Sequence, residues 1–431
     1  MVFVLSSDGQ PLDPCHEARA RELLKKGRAA VWRTYPFVIR LKDRAAAESV
    51  MHPHRLKLDP GSKTTGIAIV QEGSGRVVFA AELTHRGQAI RDALLARRSI
   101  RRSRRQRKTR YRKARFDNRR RKEGWLPPSL LHRVLTTENW VRRLRRLCPI
   151  TALSVELAKF DTQLLENAEV IGVEYQRGEL LGWEVRAYLL EKWGRRCAYC
   201  GAENVPFEID HVRPKDRGGS NRVSNLALAC HDCNQAKGNR TASEFGHPEV
   251  EAQARAPLKD AAAVNATRWA LYRRLLATGL PVEIGTGGRT RYNRARLELP
   301  KAHWIDAALV GVSTPDDLRV AVESVLLIAA KGQGTRQMCG TNKYGIPTRH
   351  RLRQKRHFGF QTGDLVRAVV PVGKRAGAHV GRVLTRASGS FDITTKHGRQ
   401  AGISYRYCHI IQRADGYAYT YRKEGAASSQ G

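Results

Sequence analysis

The sequence predicts a multidomain α+β protein, and three observations carry that reading. The chain has 431 residues, 41% of them hydrophobic, enough for roughly two to four domains at about 100–200 residues each. Short apolar runs between glycine-bearing turns recur along it, separated by stretches of helical spacing. Half of its eight cysteines fall in two CxxC pairs inside one short segment. Lys and Arg number 78 against 40 Asp and Glu, a net charge of +38. An imbalance of that sign and size calls for a polyanionic partner, nucleic acid by default. No stretch reaches the ~18–20 apolar residues of a membrane span, and the opening residues lack a basic-then-apolar signal. The expectation is a cytoplasmic protein whose thiols stay reduced.

In chain order, residues 17–26 have helical spacing and 29–41 read as extended. Residues 55–70 read as strand, glycine-rich turn and strand, because Leu56, Leu58, Ile67 and Ile69 alternate with other residues. In residues 97–122, sixteen of 26 positions are Arg or Lys and only Asp117 is acidic. Charges so dense and so alike repel one another when free and order on a phosphate backbone. Arg suits that task through its bidentate fork. Pro127-Pro128 ends the run. An apolar strand follows at 153–157, then helical spacing at 179–193, a cysteine-bearing module at 195–245 and an alanine-rich helical connector. Helical spacing returns at 303–312 and 316–330. A basic linker spans 331–357, and short runs at 365–370, 380–384, 391–394 and 403–411 predict a small β-barrel.

The module combines Cys197-x-x-Cys200 with Cys230-x-x-Cys233, 29 residues apart. Four thiolates so paired suit a closed, tetrahedral structural zinc site. Between and after them lie Asp210-His211, Ser224-Asn225 and Cys233-Asn234-Gln-Ala-Lys-Gly. This pattern resembles the HNH nuclease motif, a β-hairpin and helix around one metal (ββα-metal). Phosphodiester hydrolysis needs an activated water and a Lewis acid on the phosphate. His211, with a pKa near neutrality, is assigned as the base. Asp210 and Asn234 offer hard oxygen ligands to one Mg²⁺, and Asn225 is expected to orient the histidine-bearing loop. A zinc knuckle that only binds nucleic acid is the competing reading, and it needs none of these polar groups.

A second set of polar residues is dispersed. Asp59 precedes the turn Pro60-Gly61-Ser62-Lys63, Glu156 lies inside an apolar strand, and His303 and Asp306 share a helix face at i, i+3. A carboxylate buried without a partner is costly. Together they resemble the three separated parts of a RuvC-type, RNase-H-like nuclease. That resemblance implies that Asp59, Glu156 and Asp306 hold two Mg²⁺ ions about 3.5–4 Å apart, with His303 as base or proton shuttle.

Both patterns in this order resemble the IscB family, transposon-associated RNA-guided nucleases related to the CRISPR type II effector. Pro11-Leu12-Asp13-Pro14 resembles that family's Pro-Leu-Met-Pro signature, with Asp13 in place of Met. The resemblance implies an N-terminal domain at 1–54 and a RuvC core split into 55–88, 127–180 and 263–330. It further implies an arginine-rich bridge helix at 89–126, a zinc-containing HNH module at 181–262, and a linker with C-terminal barrel at 331–431. That barrel would contact RNA and a short target-adjacent motif. Nucleic-acid contacts are expected from Arg97, Arg98, Arg101, Arg102, Arg104, Arg105, Arg107, Lys108, Arg110, Arg112, Arg115, Arg119 and Arg120. Arg289, Arg291 and Arg294, in a stretch resembling the family's basic loop before the third RuvC part, join them.

The implied activity is RNA-guided endonuclease cleavage of double-stranded DNA. HNH would cut the guide-paired strand and RuvC the displaced strand, in a monomeric ribonucleoprotein. Residues 123–153 leave no room for a helical guide-handling lobe, so a long structured guide (omega) RNA is expected to supply scaffold. The alternatives are an unguided HNH homing-type endonuclease and a non-catalytic nucleic-acid-binding protein.

Overall fold

The computed structural model describes residues 1–106, 124–157, 185–186, 188–190, 192–203, 205–256, 261–320, 322–332, 339–342, 346–350 and 354–424. Its first unit contains β1 (Val2–Leu5), β2 (Pro11–Cys15), α1 (Glu17–Lys25), β3 (Ala29–Arg33) and β4 (Val38–Leu41), with the sheet in order β2-β1-β4-β3. Val2, Val4, Leu12, Leu23 and Ile39 form its core. The extended stretch expected at 29–41 divides into β3 and β4, which pair with each other. Asp13 ties this unit to the next, accepting from the His52 amide at 3.1 Å.

A seven-stranded sheet follows. Its strands β5 (His54–Pro60), β6 (Thr64–Gln71) and β7 (Arg76–Thr84) form an antiparallel meander. Leu56, Leu58, Ile67 and Ile69 are fully buried, as their alternation predicts. The chain continues through α2 (Gly87–Gln106), α3 (Pro128–Arg145) and β8 (Ile150–Glu156), the last parallel to β5. A compact module holds β9 (Phe207–His211), β10 (Leu226–Cys230), α4 (His231–Lys237) and α5 (Pro248–Arg255). Then come α6 (Ala261–Leu276), β11 (Val282–Gly285), α7 (Gly287–Arg296), α8 (His303–Ala308) and β12 (Ser324–Ala330). The connector expected to be helical contains α5 and α6.

β12 corrects the helix expected at 316–330. Its Ser-Val-Leu-Leu-Ile-Ala-Ala run lies between parallel β7 and an antiparallel neighbour, and an apolar run of that length carries no period that separates buried strand from helix. The basic loop expected at 287–294 is also a helix, α7. Thr286 caps it by accepting from the Arg289 amide at 3.2 Å. Much of the helical region expected at 179–193 lies outside the described residues.

Beyond β12 lie β13 (Cys339–Thr341) and β14 (Pro347–His350), a hairpin inside the expected linker, then β15 (Arg356–His357) and β16 (Phe360–Gln361). Next come β17 (Leu365–Val370), β18 (Gly377–Leu384), β19 (Ser390–Thr395), β20 (Gly398–Ser404), β21 (Cys408–Gln412) and β22 (Tyr417–Lys423). The sheet order is β20-β19-β18-β17-β21. The run expected at 403–411 is broken by the helical turn Tyr405–Tyr407, which links the two edge strands β20 and β21. Five flat strands would place those edges about 19 Å apart, and three linking residues reach at most about 14 Å. The sheet therefore curls, although no ladder joins its edges among the described residues. β22 leaves this sheet and pairs with β12 at the margin of the central one.

The central sheet runs β11-β8-β5-β6-β7-β12-β22. Trp140 and Leu144 of α3, with Leu271 and Leu275 of α6, cover one face. Trp304, Ile305 and Ala308 of α8 cover the other, over Ala68 and Val70. Gly66 permits that second contact, because a Cβ there would lie 1.8 Å from the His303 carbonyl oxygen. No helix among the described residues is long and apolar enough to cross a membrane.

Candidate functional site

The structure gathers the sequence-predicted residues at two places. In the compact module, β9 and β10 pair with His211 opposite Leu226 and Phe207 opposite Cys230. That register brings the two CxxC pairs together, and the Cys197, Cys200, Cys230 and Cys233 sulfurs lie within 4.8 Å of one another. Cys200 and Cys230 Sγ are 3.7 Å apart, against about 3.8 Å for the edge of a tetrahedron with Zn–S bonds near 2.3 Å. The donor set fits zinc. Burial disfavours the Cys197 thiolate, but backbone donors from Cys200, Cys230 and Tyr199 outweigh it and bring the thiol to about 7.

His211 ends β9, and its Nε2 lies 2.9 Å from Asn221 Oδ1. A carbonyl oxygen only accepts, so Nε2 is the donor here, and in the neutral ring Nδ1 then carries the lone pair. Asn225 bridges the loop as expected of it: Oδ1 accepts from the Arg213 amide at 2.9 Å, and Nδ2 donates to the Arg213 and Ser220 carbonyls. Asp210 is buried, accepting from Lys237 Nζ at 3.0 Å and from the Tyr199 hydroxyl. Lys237 also donates to the His211 carbonyl at 2.8 Å. Burial, then the bond to Asp210, push the Tyr199 hydroxyl above its ordinary pKa. Asn234 donates to Glu208, which also pairs with His231 at 2.9 Å. Hydrogen bonds from His231 and Asn234 hold the Glu208 carboxyl below its usual range.

The second place is a cleft of about 1020 Å³ at the end of the central sheet. Asp59, Glu156, His303 and Asp306 all line it, drawn from β5, β8 and α8. Glu156 accepts from Arg268 Nη2 at 3.3 Å and Thr290 Oγ1 at 3.0 Å, and Arg268 Nε reaches the Pro60 carbonyl at 3.1 Å. Arg294 donates to Asp306. Among the described residues the four cysteines are the only group of three or more metal-ligating side chains whose ligand atoms lie within 4.8 Å of one another. Two ions about 3.5–4 Å apart, each about 2.1 Å from its ligands, have outer oxygens up to ~8 Å apart. Three carboxylates are the hard oxygen donors that such a pair would take.

Several participants escaped the sequence. Glu82 of β7 sits in register with Gly66, itself opposite Asp59, and lines the same cleft. Arg422 of β22 holds Glu82 at 3.1 and 3.3 Å. Lys57, two residues before Asp59, is fully buried and donates to the Val310 carbonyl and Thr314 hydroxyl, both at 3.0 Å. Burial pushes its ammonium down to about 8. Asn221 and Tyr199 had a local signal in their proximity to the CxxC pairs. Glu82 and Arg422 had none.

Of the arginines assigned to nucleic acid, Arg97, Arg98, Arg101, Arg102 and Arg105 stand exposed on α2. Arg107, Lys108, Arg110, Arg112, Arg115, Arg119 and Arg120, and the side chain of Arg104, lie outside the described residues. Arg289 is exposed on α7, with its guanidinium 5.4 Å from the Tyr292 ring centroid. Arg291 is half-buried, and its pKa is depressed by burial and then by Arg195, Arg294 and Arg186.

Residues 197–240 match the family model of the HNH endonucleases, and residues 2–178 match the model described as RRXRR protein. No curated protein matches the chain. Among solved structures, *Streptococcus thermophilus* Cas9 with the GGAA PAM is 13% identical, at a TM-score of 0.24, over 60% of this chain and 32% of that one. The same protein with the AGGA PAM is 14% identical at 0.22, over 63% and 33%. The Type II-C Cas9 from *Actinomyces naeslundii* is 17% identical at 0.15, over 45% and 29%. The chain spans about a third of the length of these Cas9 chains. It carries an HNH endonuclease module, and with it the hydrolytic, divalent-metal chemistry general to HNH nucleases.

Proposed function

We propose that this chain is an RNA-guided, double-stranded DNA endonuclease of the IscB kind with two cutting sites. The observation that carries the reading is the convergence of Asp59, Glu156, His303 and Asp306 in one cleft of a chain that separately holds an HNH module. An unguided homing enzyme with a single HNH site has no need of the second set. A binding-only protein needs neither. The meander β5–β7 followed by parallel β8 and β11 supports an RNase-H-like, RuvC-type reading of the central sheet. The exposed arginines of α2 support a bridge-helix role.

At the HNH site, His211 takes the proton of the attacking water on Nδ1, while Asn221 fixes the ring through Nε2. Asp210 and Asn234 would hold one Mg²⁺, and Asp210 must then release Lys237. At the cleft, Asp59, Glu156 and Asp306 would hold two Mg²⁺, with Arg294 and Arg268 yielding their carboxylates. Bound ions would polarise the phosphate and stabilise the leaving oxygen. His303 would relay a proton at the cleft mouth. The guide is a long structured RNA, and the C-terminal sheet would contact it and the target-adjacent motif.

Strand-labelled duplex with a programmed RNA tests the reading. Asp59→Ala should abolish the cut in the displaced strand and His211→Ala the cut in the guide-paired strand. Loss of both cuts in either folded variant would refute the two-site assignment. Recovery of only random RNA fragments with the purified protein would refute guidance.

A further inference from the structure

Phe358 and Tyr405 form a stacked pair on the C-terminal unit, with ring centroids 4.1 Å apart and planes 13° off parallel. The pair continues a chain of rings that starts in the core. Phe360 meets Phe391 edge-on at 5.5 Å, Phe391 meets Tyr405 at 6.4 Å, and Phe358 is the outermost ring. Phe358 is 48% exposed, which leaves the face opposite Tyr405 open to solvent.

The backbone goes out of its way to present this ring. Phe358 and Gly359 join β15 to β16, with φ of +53° and +81°. A tight turn with two positive φ values favours Asn-Gly, and a bulky side chain rarely adopts that conformation. Gly389, at φ +80°, lies against both ring edges. A Cβ there would be 3.0 Å from Tyr405 Cδ1 and 3.2 Å from Phe358 Cε2.

The surroundings are strongly positive. Residues 354–413 contain eleven Lys and Arg and two carboxylates, Asp364 and Asp392. Both aspartates are buried, at 1% and 2% exposure. Arg413 faces Asp364, and Arg386 and Arg399 face Asp392. Within residues 354–413 every accessible charged residue is therefore a cation. Arg413 donates to the Gly359 carbonyl at 2.9 Å while its side chain stays 55% exposed, so a guanidinium stands beside the aromatic turn. Arg356 and Arg406 are also exposed next to the two rings in sequence.

We propose that the open face of Phe358 is a stacking platform for one unpaired nucleobase of a bound single strand, with Arg413, Arg356 and Arg406 meeting the flanking phosphates. The proposal rests on the nucleic-acid reading above and adds to it a site and a mode of contact. An exposed ring among cations suits a base, because every base offers a π-face and every linkage a negative charge. Stacking of this kind tolerates any base, because it uses the π-face and not the edge.

The test uses the full-length chain and single-stranded 12-mers of RNA and of DNA carrying one 5-iodouracil, with an abasic counterpart of each. Photocrosslinking should label the peptide that follows Arg356 and ends at Arg367. A label from RNA alone assigns the guide, one from DNA alone the target, and either supports the platform. Phe358→Ala should weaken the base-containing strand by about tenfold, within the ~5- to 150-fold range for losing one stacked base, and leave the abasic strand unchanged. Phe358→Trp should restore binding. Phe358→Gly relieves the turn, so it should bind as poorly as Phe358→Ala while melting no lower than the parent. Crosslinks elsewhere, with less than a twofold effect of Phe358→Ala, would overturn the platform alone. Absence of salt-dependent binding to either strand would overturn the nucleic-acid reading with it.

Discussion

The two sites are built in opposite ways. The cysteine-bearing module draws its groups from 44 consecutive residues, and Glu208, Asp210, His211 and Asn225 all find hydrogen-bond partners within that stretch. The cleft draws on β5, β8 and α8, with about 250 residues between its first and last carboxylate. A local site depends on a short register and a metal, whereas an assembled site depends on how a sheet and a helix meet. Damage to the first should stay local, and the second should respond to changes far from any of its functional groups.

The largest expected effect tests the local side. Stripping zinc, or the variant Cys200→Ser, should unfold the module, because thiolate-bound zinc contributes about 10–16 kcal/mol of apparent binding energy in small fingers. Limited proteolysis should open residues 197–240 while the central sheet stays protected, and cutting at the cleft should persist as a nick. Collapse of both activities together would break the comparison. A metal-free preparation with an intact module would remove the zinc assignment.

The next effect tests the assembled side. Gly66→Ala adds one carbon where the His303 carbonyl sits 1.8 Å away, so α8 must move. A displacement near 1 Å at reacting groups costs about 10²-fold in rate. Under the two-site proposal, displaced-strand cleavage should fall by that order while guide-paired cleavage holds, as single-turnover kinetics on each labelled strand will show. Equal rates on both strands would mean that α8 carries nothing essential.

The smallest effect sharpens the picture of the module. The Glu208 side chain raises the His231 pKa above its usual 6.5. A raised folded pKa means that the pair's stabilisation is complete below about 6.5. It is lost as pH climbs through the raised value. The exposed position keeps the effect small. A histidine titration by NMR should show the raised value falling to the ordinary one in Glu208→Gln. An unchanged His231 titration would remove Glu208 as its cause.

The same contrast explains what was legible in the sequence. The CxxC pairs stand close enough for spacing alone to announce them, and Asp210-His211 and Cys233-Asn234, in the same short stretch, carry the resemblance to the HNH motif. Asp59, Glu156 and Asp306 emerged only through a resemblance, since each is ordinary by itself. Lys237 on Asp210 could not be read, because a lysine fully inside a module has the same letter as one in solvent. Glu82 and Arg422 were invisible, being joined by a strand that crosses between two units. The helix expected at 316–330 failed for a related reason: the neighbours that make β12 a strand are remote in the chain.

That crossing strand makes the carboxyl-terminal part of the chain a poor candidate for exchange. After the curled sheet is complete, β22 returns to pair with β12 along seven residue pairs, sets Arg422 on Glu82, and places Glu424 on the Trp304 indole at 2.9 Å. A recombinant that swaps residues 354–412 for those of a relative exchanges the curled sheet, and with it the surface proposed above to meet nucleic acid. A recombinant that swaps everything after 354 also replaces a wall of the cleft. The two are different experiments in protein engineering, and evolution faces the same constraint. Changes up to β21 can accumulate within the curled sheet, but the last strand must stay matched to β12 and to Glu82 in the central sheet.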